Sequence, residues 1–218
     1  MLFRSELNKE ILDLDEILKI SPKSAPVFNY RATAKRDLGN FKEGLEDINN
    51  AISIDSTNVE YFVTRASIKT RVGDTSNAII DLTRAINLNP YYSVSYFEKA
   101  LLELNFRKNA KAALNDNLKA IELEDNNPFS LTFATYHNNC AMTYNTLKLY
   151  DNALEQLEKA IAKRPNYPLY YFRCGEIKAR MKDMEGACLE WNKAKQLGYQ
   201  DAEELILYNC KPDSKDKR

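Results

Sequence analysis

The sequence predicts an all-α chain folded as a solenoid of repeated helix pairs. Three observations carry that expectation: a scarcity of Gly, Pro and His, three columns of small residues recurring at a near-constant interval, and paired stretches of helical amphipathic spacing between them. The 218 residues include six Gly and seven Pro, where an average composition would supply about 15 and about 11. Hairpin turns and phosphate-cradling loops draw on those residues, so β-rich and phosphate-loop architectures are disfavoured. A single His leaves no material for a His-rich metal cluster and little for a catalytic triad. The 31 basic and 31 acidic side chains cancel, which argues against a general phosphate-backbone binder and hence against nucleic acid as the partner.

The small-residue columns set the period. Ala51, Ala85, Ala120, Ala160 and Ala194 are separated by 34, 35, 40 and 34 residues, and Gly44, Ala78, Ala113, Ala153 and Ala187 keep the same intervals. Ala32, Ala66, Ala100, Ala141 and Gly175 follow at 34, 34, 41 and 34. Helices approach closely only where no long side chain intervenes, so these columns mark where neighbouring helices touch.

Each element then follows in order. Residues 6–20 read as a lone second helix, making 1–24 an N-terminal half repeat or cap, or the edge of a longer array, since Met1 falls in mid-repeat. Val27 to Leu38 is a first helix, Gly39-Asn40 a turn and Phe41 to Ile54 a second helix, with Ile48, Ala51 and Ile52 on one face by their i, i+3, i+4 spacing. Gly39 and Gly73 suit turns that need positive φ, and Pro22, Pro90 and Pro165 follow second helices, where Pro ends one element and starts the next. Five repeats are expected at 25–58, 59–92, 93–127, 134–167 and 168–201, with a six-residue insertion at 128–133. Asp201 is expected to cap a short helix over 202–209 whose Leu205, Ile206 and Tyr208 cover the last repeat, as terminal caps must. The charged tail, 210–218, is expected to fray.

This periodic set resembles the tetratricopeptide repeat (TPR) family. Its 34-residue unit favours an aromatic at position 4, small residues at 8, 20 and 27, a large apolar residue at 24 and Pro at 32. Position 4 here is Phe28, Phe62, Tyr96, His137 and Tyr171; position 24 is Ile48, Leu82, Asn117, Leu157 and Trp191, so the third repeat departs from the pattern. Position 32 keeps Pro only at Pro90 and Pro165. The resemblance implies a right-handed α-solenoid with a C-terminal capping helix and a groove lined by first helices. Carried over, the groove positions include Asn29, Tyr30, Arg36, Thr64, Arg71, Phe97, Glu98, Asn138, Asn139, Met142, Asn145, Phe172, Arg173 and Arg180. Amides that both donate and accept suit an extended peptide, although a solvated polar face would have the same composition.

Within the family, a clamp for the C-terminal carboxylate of cytosolic chaperones uses Lys and Asn at set positions. Starting from the third repeat only Asn139 and Arg173 match, so that activity is disfavoured. The insertion offers another surface: Phe129, Leu131 and Phe133 open a charge-free stretch from Asn126 to Leu147. Exposed together they would form an interface; packed back onto the third repeat, they would repair its weak second helix, where Asn117 stands in the core column.

No constellation supports catalysis, and no cofactor or metal is implied. His137 occupies a packing position, Trp191 reads as a core anchor against the cap, and Cys140 and Cys174 read as buried thiols too far apart to bridge. Cys140, Cys174, Cys188 and Cys210 lack C-x-x-C spacing; a reducing, cytoplasmic setting is the default. No signal-peptide pattern and no long apolar run is present, so no membrane association is expected. The functional expectation is a non-enzymatic scaffold or adaptor for a peptide or protein segment. Self-association, or service as an accessory portion of a larger enzyme or secretion-pathway protein, is the alternative.

Overall fold

The computed structural model describes residues 2–124 and 132–210, with side chains from residue 4 onward. Twelve α-helices and no strand are present among the described residues, in two compact units, Met1–Arg107 and Lys108–Arg218. The first unit holds α1 (Leu2–Ile20), α2 (Ala25–Leu38), α3 (Phe41–Ile54), α4 (Val59–Arg71), α5 (Thr75–Leu88) and α6 (Ser93–Asn105). The second holds α7 (Ala110–Glu124), α8 (Thr132–Thr146), α9 (Tyr150–Lys163), α10 (Pro168–Arg180), α11 (Met184–Gln196) and α12 (Asp201–Asn209). Within each unit every helix packs on the next, which is the solenoid arrangement.

Small residues seat these contacts. Ala51, Ala85, Ala120, Ala160 and Ala194 are all fully buried, as are Ala32, Ala100 and Ala141. Where a first helix ends, the chain passes through one left-handed residue. At Gly39 (φ 87°) the Gly39 N–H donates to the Arg36 carbonyl at 3.0 Å and the Asn40 N–H to Lys35 at 2.8 Å, satisfying carbonyls the helix leaves open. The same bonding recurs at Lys148 (φ 62°) and Lys182 (φ 67°), so a lysine takes a conformation that glycine adopts at lower cost.

The first unit carries an ion-pair ladder that repeats with the helices. Asp47 on α3 is buried and receives Arg31 (2.5 Å) and Lys35 (2.7 Å) from α2; Asp81 on α5 receives Arg65 (2.6 Å) and Lys69 (2.7 Å) from α4. Each Arg also crosses to the preceding second helix, Arg31 to Asp15 and Arg65 to Asn49. The guanidiniums lie over Phe28 and Phe62, 5.5 and 5.4 Å from the ring centroids. A buried carboxylate is tolerated because both of its oxygens are met by cations.

In the second unit Asn117, the departure from the apolar column, is 0% exposed. Its amide donates to Thr143 Oγ1 at 2.9 Å and its oxygen accepts from Asn139 Nδ2 at 2.7 Å, both on α8. The α7–α8 seam is thus sealed by a satisfied polar network rather than by an apolar side chain. Further on, Trp191 at the same column position fits because its neighbour is Gly175, where a Cβ would stand 2.4 Å from the indole Nε1.

The cap differs in detail from expectation. Gln200, not Asp201, stands at the N-cap, and Asp201 opens the helix. Ala202 is buried and Leu205 and Ile206 pack beside Trp191, but Tyr208 is exposed, having rotated past the contact face. Cys188 on α11 and Cys210 just after α12 form a disulfide (Cα–Cα 5.6 Å), which ties the cap to the last helix pair. Cys140 and Cys174 are free and buried. The insertion residues Phe129 and Leu131 and the tail beyond Cys210 lie outside the described residues.

Candidate peptide-binding face

Hydrogen bonds between consecutive first helices show which side chains share an inner face within each unit. In the first unit Arg36 on α2 reaches Ser67 on α4 (Nη1 to Oγ, 3.3 Å) while its Nε donates to Asp37 at 2.8 Å. Tyr30, 58% exposed, and Arg71 project into solvent, whereas Thr64 and Phe97 are half-buried. Burial pushes the Glu98 carboxyl above the usual carboxylate range, with the Arg36 charge pulling it back. Asn29 is buried, and its Oδ1 makes no hydrogen bond.

In the second unit two rungs join α10 to α8. Arg173 Nη1 donates to Asn138 Oδ1 at 2.5 Å, and Arg180 Nη1 to Asn145 Oδ1 at 2.8 Å. Met142, half-buried, falls between the two asparagines along α8. Burial lowers the Arg173 pKa, and the Glu176 charge partly restores it. Phe172 stacks against Tyr199 with centroids 4.7 Å apart, so it serves the cap region. Asn139 differs from expectation: it is buried and bonded to Asn117, because position 6 of α8 faces α7. Phe133, in the first turn of α8, packs its ring 4.1 Å from His137 and 5.1 Å from the Lys163 ammonium. Both contacts lie within the fourth repeat, not on the third.

The residues that carry most reactivity elsewhere are structural here. His137 is buried, with Nδ1 2.6 Å from Gln156 Oε1. Burial pushes the thiols of Cys140 and Cys174 up to about 12, which keeps them protonated and poor nucleophiles. Among the described residues no three potential metal ligands converge, and no helix is long and apolar enough to cross a membrane.

Sequence reasoning missed the ion triads and the disulfide. A signal for the triads was present: an Arg–Asp interval of 16 and a Lys–Asp interval of 12 occur at Arg31/Lys35/Asp47 and again at Arg65/Lys69/Asp81. The disulfide was accessible by asking where the end of the cap helix lands, since α12 returns along α11 toward Cys188.

A family model described as tetratricopeptide repeat matches residues 134–167. No curated protein sequence matches the chain significantly. Among solved structures, MamA from Desulfovibrio magneticus RS-1 (its segment 41-end) is similar at 16% identity and TM-score 0.69, covering 79% of this chain and 94% of that one. YrrB, described as a TPR protein with an unusual peptide-binding site, is 14% identical with TM-score 0.69, covering 89% and 97%. The Cut9–Hcn1 hetero-tetramer structure of the APC/C gives 15% identity and TM-score 0.80 over 95% of this chain and 40% of that one. At these identities the likeness is one of fold.

Proposed function

The chain is a tetratricopeptide-repeat protein by its matched repeat and its helix-pair solenoid, and on that premise we propose that it is a non-enzymatic adaptor whose inner face holds an extended peptide or protein segment. One observation supports this most: the first helices α8 and α10 lie side by side, joined by polar rungs whose remaining donors are free for a ligand. Backbone groups of an extended segment need such partners when they leave water. His137 is buried against Gln156, and burial keeps the Cys140 and Cys174 thiols protonated, so none of these three is an activated nucleophile.

A random-peptide library selected against the intact protein should yield enriched sequences. Capture should vanish when Asn138 and Arg173 are both replaced by Ala while helicity stays unchanged. Failure of every library to enrich would overturn the reading.

Self-association is favoured by a different observation. Leu12 and Ile20 on α1 are 64% and 84% exposed, leaving two large apolar side chains uncovered. Analytical ultracentrifugation showing a monomer at all concentrations would dismiss it. For the compartment, the Cys188–Cys210 bridge favours an oxidising setting over the reducing cytoplasm that the spacing of cysteines suggested. Alkylation before lysis, then mass mapping, should recover that bridge intact.

A further inference from the structure

We infer that the inner face of α8 and α10 selects segments bearing carboxylate side chains, two acidic residues three apart in an extended chain, engaged by Arg173 and Arg180. This inference rests on the peptide-binding reading above and narrows its ligand to an acidic segment.

Donor and acceptor accounting comes first. In both rungs the asparagine oxygen already accepts from a guanidinium, at 2.5 Å for Asn138 and 2.8 Å for Asn145. Each asparagine oxygen keeps one further lone pair, while each rung still offers the amide NH2 and the remaining guanidinium N–H groups, so donors predominate. An excess of donors is complemented by acceptor-only groups, and among peptide side chains those are carboxylates. A ligand Lys or Arg would meet donors with donors.

Charge points the same way. Helix α8 contains no Asp, Glu, Lys or Arg over its whole length, Thr132–Thr146. Arg173 is therefore half-buried opposite a neutral helix, and its hydrogen bond goes to an amide rather than to an anion. Burial disfavours its charged form, with Glu176 offsetting that in part. A cation held in this way gains from an incoming carboxylate more than a solvated one does, because part of its dehydration is already complete. Three arginines of the first unit show what a closed arrangement looks like. There Arg36 is bonded to Asp37, and Arg31 and Arg65 to Asp47 and Asp81.

Geometry sets the spacing. Arg173 and Arg180 are seven residues apart on one helix, so they share a face about 10.5 Å apart along the axis. A polyproline-II segment rises about 3.1 Å per residue with three residues per turn, placing residues i and i+3 on one side about 9 Å apart. Long Arg side chains absorb the difference. Met142 lies between the rungs and offers an adaptable apolar contact for the intervening residues.

The peptides enriched by library selection on the intact protein supply the test. They should carry Asp or Glu at two positions three apart, away from the peptide C-terminus. A fluorescein-labelled, C-terminally amidated member should lose affinity about tenfold when either acid becomes Gln, as a charge-assisted bond of this kind implies. Arg173→Gln should weaken binding at least as much, Arg173→Lys less, because it keeps the charge and loses the fork. Arg180→Gln, at an exposed position, should weaken binding about fivefold and keeps the test decisive if the Arg173 variants fail to fold. Enriched peptides without acidic preference, or unchanged affinity for Arg180→Gln, would overturn the inference and leave the groove reading standing. Recognition only of a free terminal carboxylate would also overturn it. If no peptide is enriched at all, the groove reading falls as well.

Discussion

The first unit and the second hold equivalent positions with different chemistry. In the first, α2–α3 and α4–α5 are each joined by an Arg and a Lys converging on a buried Asp, at Asp47 and Asp81. In the second, the corresponding positions of α8–α9 are Cys140, Tyr144 and Gln156, and the carboxylate is replaced by the Gln156 amide beside His137, while α10–α11 keeps a Lys178–Glu190 pair at 2.6 Å. One backbone arrangement is therefore sealed either by compensated charge or by neutral packing. The difference also reaches the inner face. Arg31, Arg36 and Arg65 of the first unit have carboxylate partners, while Arg173 and Arg180 are bonded to amides.

Breaking the ionic seal should have the largest effect. Asp81→Ala strands Arg65 and Lys69, and removal of one partner from a buried ion network costs about 3–5 kcal/mol. The lower end is expected because the two cations keep 21% and 19% of their side-chain surface exposed. Hydrogen exchange should show lost protection in α4 and α5, with α9 and α10 as the reference. Unchanged protection would mean the triad contributes nothing. Cys188→Ser comes next. Opening a loop with a sequence separation of 22 should release the cap at a cost of about 3 kcal/mol, read as faster proteolysis within α12.

Gly175→Ala should cost about 2 kcal/mol by overpacking against the indole, lowering the denaturation midpoint. Adding Trp191→Leu should recover part of that loss. Gln156→Leu sharpens the contrast with Asp81, since it removes an uncharged amide rather than a carboxylate and should cost about 1 kcal/mol. A loss equal to that of Asp81→Ala would refute the distinction between the two seals. The smallest effect runs the other way. Lys182→Gly relieves a left-handed lysine and should raise the midpoint by the equivalent of up to about 1 kcal/mol.

Much of the fold was legible because repetition amplifies weak signals. Ala51 alone says little, but Ala51, Ala85, Ala120, Ala160 and Ala194 together define where helices touch, and all are fully buried. The site was less legible, because helical periodicity assigns a residue to a sector of the helix and not to one neighbour. Asn138 and Asn139 are adjacent in sequence, yet the first meets Arg173 and the second meets Asn117 across the other seam. Asn117 looked like a flaw in its column because its partners Thr143 and Asn139 lie 26 and 22 residues away.

What the sequence determined by itself was the all-α class, the period and the small-residue contacts. These depend on local helical geometry and on side-chain size, both of which are written residue by residue. Only the tertiary structure decided which polar groups meet one another within the protein. Hydrogen bonds and ion pairs depend on atoms from different helices meeting within about 3 Å. The Cys188–Cys210 bridge and the Arg173–Asn138 rung both exist because packing brings distant segments to that range.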